Sequence, residues 1–251
     1  MQLLHAPIIT RTTLPKLRGF EFWGVSPYLE ALLPNMATPL LEDLSISFFH
    51  QLSFSVPHLA HFVTTNENLL FGRARFLFYG NAVAIFMYPL TRAVRSNFFI
   101  DVVCDHLDWQ VSSLAQIFNL LKPAFSAVVD LSLDYGVHNL SSERHHQAGR
   151  RLWRELLGSF SNVRTLRVHK GLVGELLHSL CSEGESLQLL PEMKELICPL
   201  ESVDDNTFTP FIHECEVAGQ PVNLIRKAFP VGRANYKFDS PTGTVYIKSD
   251  T

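Results

Sequence analysis

The sequence predicts an α/β fold with parallel strands lining one side and helices on the other. Three observations predict it. A short apolar phrase recurs along the chain, helix-forming segments lie between its copies, and the composition is that of a folded protein. Of the 251 residues, 47% are hydrophobic and 18% charged, so enough apolar surface exists to bury a core. The 19 Phe against 6 Tyr point inward, because a Phe ring has no polar end to keep wet.

The phrase is read first in Leu14-Pro15-Lys16-Leu17-Arg18-Gly19-Phe20-Glu21-Phe22 and again in Thr38-Pro39-Leu40-Leu41-Glu42-Asp43-Leu44-Ser45-Ile46. It returns in Phe125 to Leu133, Phe160 to Val168 and Leu190 to Cys198. The grammar is apolar, two free positions, apolar, one free position, apolar, which is the L-x-x-L-x-L core of a leucine-rich repeat. The last two apolar residues are two apart, so a strand turns both to one face. Weaker copies run from Asn68 into Arg75-Phe76-Leu77-Phe78, over Asn97 to Cys104, and at Pro221 to Ile225. The aligned positions Leu17, Leu41, Leu69, Val128, Val163 and Met193 lie 24, 28, 59, 35 and 30 residues apart. Units this long need a helix on the return path rather than a tight turn, so the expected architecture is an open curved leucine-rich-repeat solenoid with helices outside. A doubly wound sheet gives the same alternation, and only the repeated phrase favours the solenoid.

Helices are expected where apolar residues recur at helical spacing. Ser26 to Leu33 opens with Ser26 as a cap and Pro27 in first position. Val56 to Val63 repeats that device. Trp109 to Leu121 has an apolar stripe, with Asp108 as its cap. Glu143 to Leu157, Leu172 to Leu180 and Asp204 to Val217 complete the series. Trp109 and Trp153 fall at apolar helical positions and are expected in the core.

Three parts follow. Residues 1–13 are a short lead or partial cap, 14–228 the irregular repeat domain, and 229–251 an atypical tail holding the alternating Thr244-Val245-Tyr246-Ile247-Lys248. The tail reads as a stray hairpin strand or an extension that packs poorly. A net charge of −3 gives no basic footprint for nucleic acid. No apolar run reaches the roughly 20 residues that span a bilayer, and Met1 to Arg11 lacks a signal-peptide centre. No nucleic-acid or membrane partner is expected, and the expected location is cytoplasmic or nuclear. Cys104, Cys181, Cys198 and Cys215 form no C-x-x-C pair and are read as reduced and structural.

Catalytic and metal signals are sparse, and no cofactor or metal is expected. His145-His146 point about 100° apart on a helix, and His58 and His61 have no acidic or thiol partner beside them. His213-x-Cys215 lacks the second pair that closes a zinc tetrahedron. Neither a nucleophile elbow nor a phosphate loop is present, and Gly171-Leu172-Val173-Gly174 reads as a turn into a helix. The alternative to a binding protein is an α/β enzyme using His106 with Asp105 or Asp108. A third reading is a degenerate fragment without function.

The phrases quoted above, with Tyr28-Leu29-Glu30-Ala31-Leu32-Leu33-Pro34, Val56-Pro57-His58-Leu59 and His106-Leu107-Asp108-Trp109-Gln110, resemble the fungal F-box/leucine-rich-repeat proteins over residues 14 to 226. That resemblance implies a substrate-binding repeat region of a ubiquitin-ligase receptor, docked through an F-box. Leu14-Pro15-Lys16-Leu17 has the look of an F-box opening, but Gly19 to Gly24 reads as strand and turn. An adaptor is therefore expected as a partner only if an F-box exists elsewhere.

In the solenoid, the free positions beside the strand apolars face a partner protein of unknown identity. They form three rows. One holds Gly19, Asp43, Asp130, Thr165 and Glu195. The next holds Glu21, Ser45, Ser132, Arg167 and Ile197. The third holds Trp23, Ser47, Asp134, His169 and Pro199. The expected contact residues are Glu21, Trp23, Asp43, Ser45, Asp130, Ser132, Asp134, Arg167, His169 and Glu195. Trp23 and Arg167 are the anchors, since Trp and Arg dominate interface energetics. The rows lean acidic, which favours a basic partner.

Overall fold

The computed structural model describes residues 12–49, 51–90, 96–136, 149–180, 189–200, 208–227, 236–239 and 244–247. Each copy of the phrase ends in a strand. These are β2 (Gly19–Gly24), β4 (Asp43–Phe48), β5 (Arg73–Phe78), β7 (Asn97–Val103), β8 (Asp130–Tyr135), β9 (Thr165–Val168), β10 (Glu195–Pro199) and β11 (Asn223–Lys227). With β6 (Ala82–Tyr88) they form one open nine-stranded sheet in the order β11-β10-β9-β8-β5-β6-β7-β4-β2. A two-residue strand, β1 (Thr12–Thr13), pairs in parallel with β3 (Met36–Ala37), so ordered pairing begins just ahead of the expected boundary at residue 14.

The sheet is mostly parallel, not wholly so. β6 runs antiparallel to both β5 and β7. It follows β5 through the two-residue turn Gly80-Asn81, closed by Tyr79 N–H to the Ala82 carbonyl at 2.8 Å. β7 then doubles back beside β6 and lies next to β4. The chain order is therefore locally reversed: α2 (Pro57–Thr65) carries it from β4 to β5, three places away, and α3 (Leu107–Phe125) carries it from β7 to β8. The hairpin escaped the sequence reading because β6 is apolar at every position but its last and buried on both faces. It has no alternation to read.

One hydrogen-bond pattern recurs from unit to unit. The carbonyl of Arg18 accepts from Glu42 and Asp43, that of Gly72 from Val129 and Asp130, that of Val129 from Arg164 and Thr165, and that of Arg164 from Lys194 and Glu195. Each acceptor directly follows the apolar residue that leads into its strand, half-buried at Leu17 and buried at Phe71, Val128 and Val163. The pattern corrects one alignment: Phe71, before Gly72, occupies the position assigned to Leu69. The Asn162 amide adds a second tie, donating to the Ser126 carbonyl of the preceding unit at 2.6 Å.

The remaining helices are α1 (Ser26–Leu32), α4 (Arg150–Leu157), α5 (Val173–Leu180) and α6 (Thr209–Val217). From α1 to α5 each packs on the next. Their buried residues join Leu44, Ile46, Phe76, Ile85, Ile100, Leu131, Leu166 and Leu196 in one core. All the described helices thus cover one face of the sheet, which excludes the doubly wound arrangement for them. Phe rings fill this layer as expected: Phe118 lies 5.1 Å from Phe76, 5.3 Å from Phe160 and 4.9 Å from Phe125 between ring centres. Burial of such rings is the main favourable term in a fold of this kind.

Helix starts differ from the sequence reading. Val25, not Ser26, caps α1, and the Ser26 N–H donates to the Gln51 side chain at 2.7 Å. At α2 the orphan N–H groups of His58 and Leu59 donate to the Glu30 carboxylate at 2.7 and 2.9 Å. A carboxylate suits the positive end of a helix dipole. α3 begins two residues early with His106 at its cap, which leaves Asp108 inside the first turn rather than capping it. Trp109 is 41% exposed, against expectation, while Trp153 is fully buried. Residues 143–148 and 204–207 of two expected helices, with Cys181, His145 and His146, lie outside the described residues.

Candidate recognition face

The face of the sheet away from the helices carries the rows read from the sequence, in register. Gly19 pairs with Asp43, Glu21 with Ser45 and Trp23 with Ser47. Asp130 pairs with Thr165 and Ser132 with Arg167, and Thr165 and Arg167 pair with Glu195 and Ile197. His169 follows the last residue of β9 and donates its N–H to the Leu133 carbonyl at 2.8 Å. Glu21, Trp23 and Asp43 are exposed; Ser45, Asp130, Ser132, Asp134, Arg167, His169 and Glu195 are half-buried. The ten expected contact residues therefore share one face. They fall into two groups, however, because β7, β6 and β5 stand between β4 and β8.

Those three strands add residues that the sequence reading missed. Asn97, Tyr88 and Arg73 join the first row, Phe99, Phe86 and Arg75 the second, and Asp101, Ala84 and Leu77 the third. The signal was available in Gly80-Asn81, a two-residue glycine turn between apolar runs.

Charge on this face is mostly spent internally. The Arg167 guanidinium donates to both oxygens of Asp130, at 3.0 and 2.8 Å. Arg75 pairs with Asp134, whose carboxylate also accepts from the Ser132 hydroxyl at 3.3 Å. Thr165 donates to Glu195 at 3.2 Å, Asn97 to Asp43 at 2.9 Å, and the Trp23 indole N–H to Glu21 at 2.9 Å. With Arg73, Arg75 and Lys227 on the same face, the acidic lean expected from the five phrases gives way to a mixed, largely paired surface.

Asp101 stands apart. It is 1% exposed, accepts from the Ser47 hydroxyl, and its second oxygen is buried with no hydrogen-bond partner among the described residues. Burial pushes its carboxyl up to about 6, against the pull of the Ser47 hydrogen bond. A desolvated carboxyl favours its neutral form.

Asp105 is exposed, and the His106 ring meets the Trp109 ring edge-on with centres 4.5 Å apart. A groove of about 580 Å³ lies at the opposite end of the parallel strands; Thr13, Thr38, His61, Thr65, Asn66 and Glu67 are among its lining residues. Neither Asp105 nor His106 reaches it. Beside them, burial and the charges of Asp105 and Asp108 push the Cys104 thiol up to about 12, far from a reactive thiolate. Cys104, Cys198 and Cys215 are buried. Among the described residues no group of His, Cys, Asp and Glu is placed to hold a metal ion, and no helix is long and apolar enough to cross a membrane.

Comparison of the chain with family models, with curated proteins and with solved structures finds no match in any of the three.

Proposed function

We propose that the chain is a protein–protein interaction module of the leucine-rich-repeat type, an open curved solenoid whose helix-free sheet face receives a partner protein. The observation that carries this reading is the register. Free positions of successive units stand side by side in rows on a face that no described helix covers. Parallel strands with one side left free are how repeat proteins build extended binding surfaces. Trp23, 43% exposed at the end of β2, and Arg167, held flat by Asp130, are the anchors. The finer reading is the substrate-binding part of a ubiquitin-ligase receptor whose F-box is supplied from outside residues 14–226; it rests on the family resemblance.

The test is capture from a fungal lysate with the full chain, a Trp23→Ala/Arg167→Ala variant, and Tyr28→Ala as a control on the helix side. Partners that lose at least tenfold in recovery with the double variant alone support recognition by this face. Ligase adaptors among them support the receptor reading. A folded chain that captures nothing, or captures equally with all three, sinks the binding reading and favours a fragment without function.

A further inference from the structure

The sheet ends on one side at β2, and no described residue pairs with the outer edge of that strand. Successive residues of a strand turn their backbone groups to opposite sides. The Arg18 carbonyl accepts from Asp43 in β4, so the N–H and C=O groups of Gly19, Glu21 and Trp23 turn outward. Such an edge is a template for another strand unless Lys, Pro or a bulge blunts it. β2 reads Gly-Phe-Glu-Phe-Trp-Gly, and its register with β4 is unbroken from Gly19 to Gly24. It carries none of these guards. The opposite edge, β11, follows Pro221 and ends in Arg226-Lys227.

The side chains of β2 are open as well. Phe20 and Phe22, on the core side, are half-buried, whereas Leu44 and Ile46, their partners in register, are 1% and 0% exposed. On the helix-free face Glu21 is exposed and Trp23 is 43% exposed. A further strand along this edge covers both flanks at once.

The strand complements itself. In an antiparallel pair, residues directly opposite share a face, and those whose backbone groups point at each other exchange both hydrogen bonds. With Phe22 opposite its own copy, Glu21 stands opposite Trp23 of the second copy, and Trp23 opposite its Glu21. Glu21 and Trp23 are outward residues, so their backbone groups are all paired. The Trp23 indole N–H donates to Glu21 of its own chain at 2.9 Å, and here the Glu21 carboxylate of the second copy comes beside it. Phe22 falls in the non-hydrogen-bonded pair, where side chains approach most closely. Centring the pair on Glu21 instead sets two carboxylates face to face, which is unfavourable.

We propose that two copies of this chain pair antiparallel through β2, with Phe22 on the two-fold axis. A self-complementary patch of this kind closes as a dimer. The axis is perpendicular to the sheet, so the two sheets become one and both helix-free faces point the same way. The recognition surface is thereby doubled, but the pairing itself does not depend on the binding function proposed above.

Sedimentation velocity of the purified full chain tests the pairing without any other protein, so its outcome is separate from that of the capture experiment. A dimer that builds up with concentration is expected. Glu21→Pro removes an outward N–H and leaves the ladder to β4 intact, and should weaken dimerisation at least tenfold. Leu70→Ala removes a 65% exposed side chain ahead of β5 and should not change it. Should Glu21→Pro fail to fold, charge exchange takes its place: Trp23→Glu and Glu21→Lys/Trp23→Lys are each expected to be monomeric alone and to form a dimer when mixed. A chain that is monomeric up to about 1 mM, a dimer that persists in folded Glu21→Pro or is lost equally in Leu70→Ala, or a mixture that stays monomeric overturns the proposal.

Discussion

Arg167 grips Asp130 diagonally, through two hydrogen bonds of 3.0 and 2.8 Å, although the residue opposite it in register is Ser132. The reach fixes a guanidinium plane on the surface at the junction of two units. In a double-mutant cycle on urea denaturation, Arg167→Ala and Asp130→Ala are expected to couple by about 1 kcal/mol, the value of a half-exposed bidentate pair. Arg167→Lys should recover less than half of it, since an ammonium cannot match both oxygens. Additive single effects would show that the pair only coexists.

Glu30 holds α2 from outside the helix. Glu30→Ala leaves the His58 and Leu59 N–H groups without their acceptor and is expected to cost about 1 kcal/mol in urea denaturation. Amide exchange at those two positions should speed up with it. Unchanged exchange would mean that water replaces the carboxylate at no cost.

Asp101 makes stability depend on pH. Its folded carboxyl titrates near 6, against 3.8 for the ordinary group, so folding favours the protonated form. The stabilisation is complete below about pH 4 and is lost as pH rises through about 6. Roughly two units correspond to about 3 kcal/mol at most, at about 1.36 kcal/mol per unit. Asp101→Asn should flatten the fall in urea midpoint between pH 4 and 8. Equal slopes in both proteins would exclude Asp101 as its source.

Gly72 has no room for a side chain. A methyl group there would sit 2.5 Å from the Leu90 Cβ and 3.0 Å from its Cα, and backbone cannot yield as a side-chain tip can. Gly72→Ala is expected to cost about 1 to 3 kcal/mol through overpacking, read as a lowered thermal midpoint. A neutral substitution would show that the 89–90 turn gives way freely.

Most of the sheet was legible because its units speak in a period of two. Leu44 and Ile46, Leu131 and Leu133, and Leu166 and Val168 alternate with polar residues, so strand, face and register followed together. Strand β6 was not legible because both of its faces are buried, and burial on both sides erases alternation. The alignment slipped at Leu69 for a related reason: Leu69 and Phe71 are both apolar and buried, and only the Gly72 carbonyl tells which one leads the strand. Trp109 was misplaced because a helical stripe gives a direction but not where the neighbouring layer ends. The ten face residues were found together; the gap dividing them was not, since it depends on the order of strands rather than on any one unit.

The reversed hairpin also sets an order in time. Parallel neighbours in this sheet join distant segments, as Asp43 and Asn97 do across 54 residues, and each such pairing waits on the closure of a long loop. β5, β6 and β7 are joined by short connections, and hairpins close in about 1 to 10 μs. The middle of the sheet is the natural seed for folding, with the β4–β2 wing and the β8–β11 wing condensing onto its two edges. The Gly80-Asn81 turn then acts as the keystone of assembly: a one-residue slip there would hand a wrong register to both wings at once.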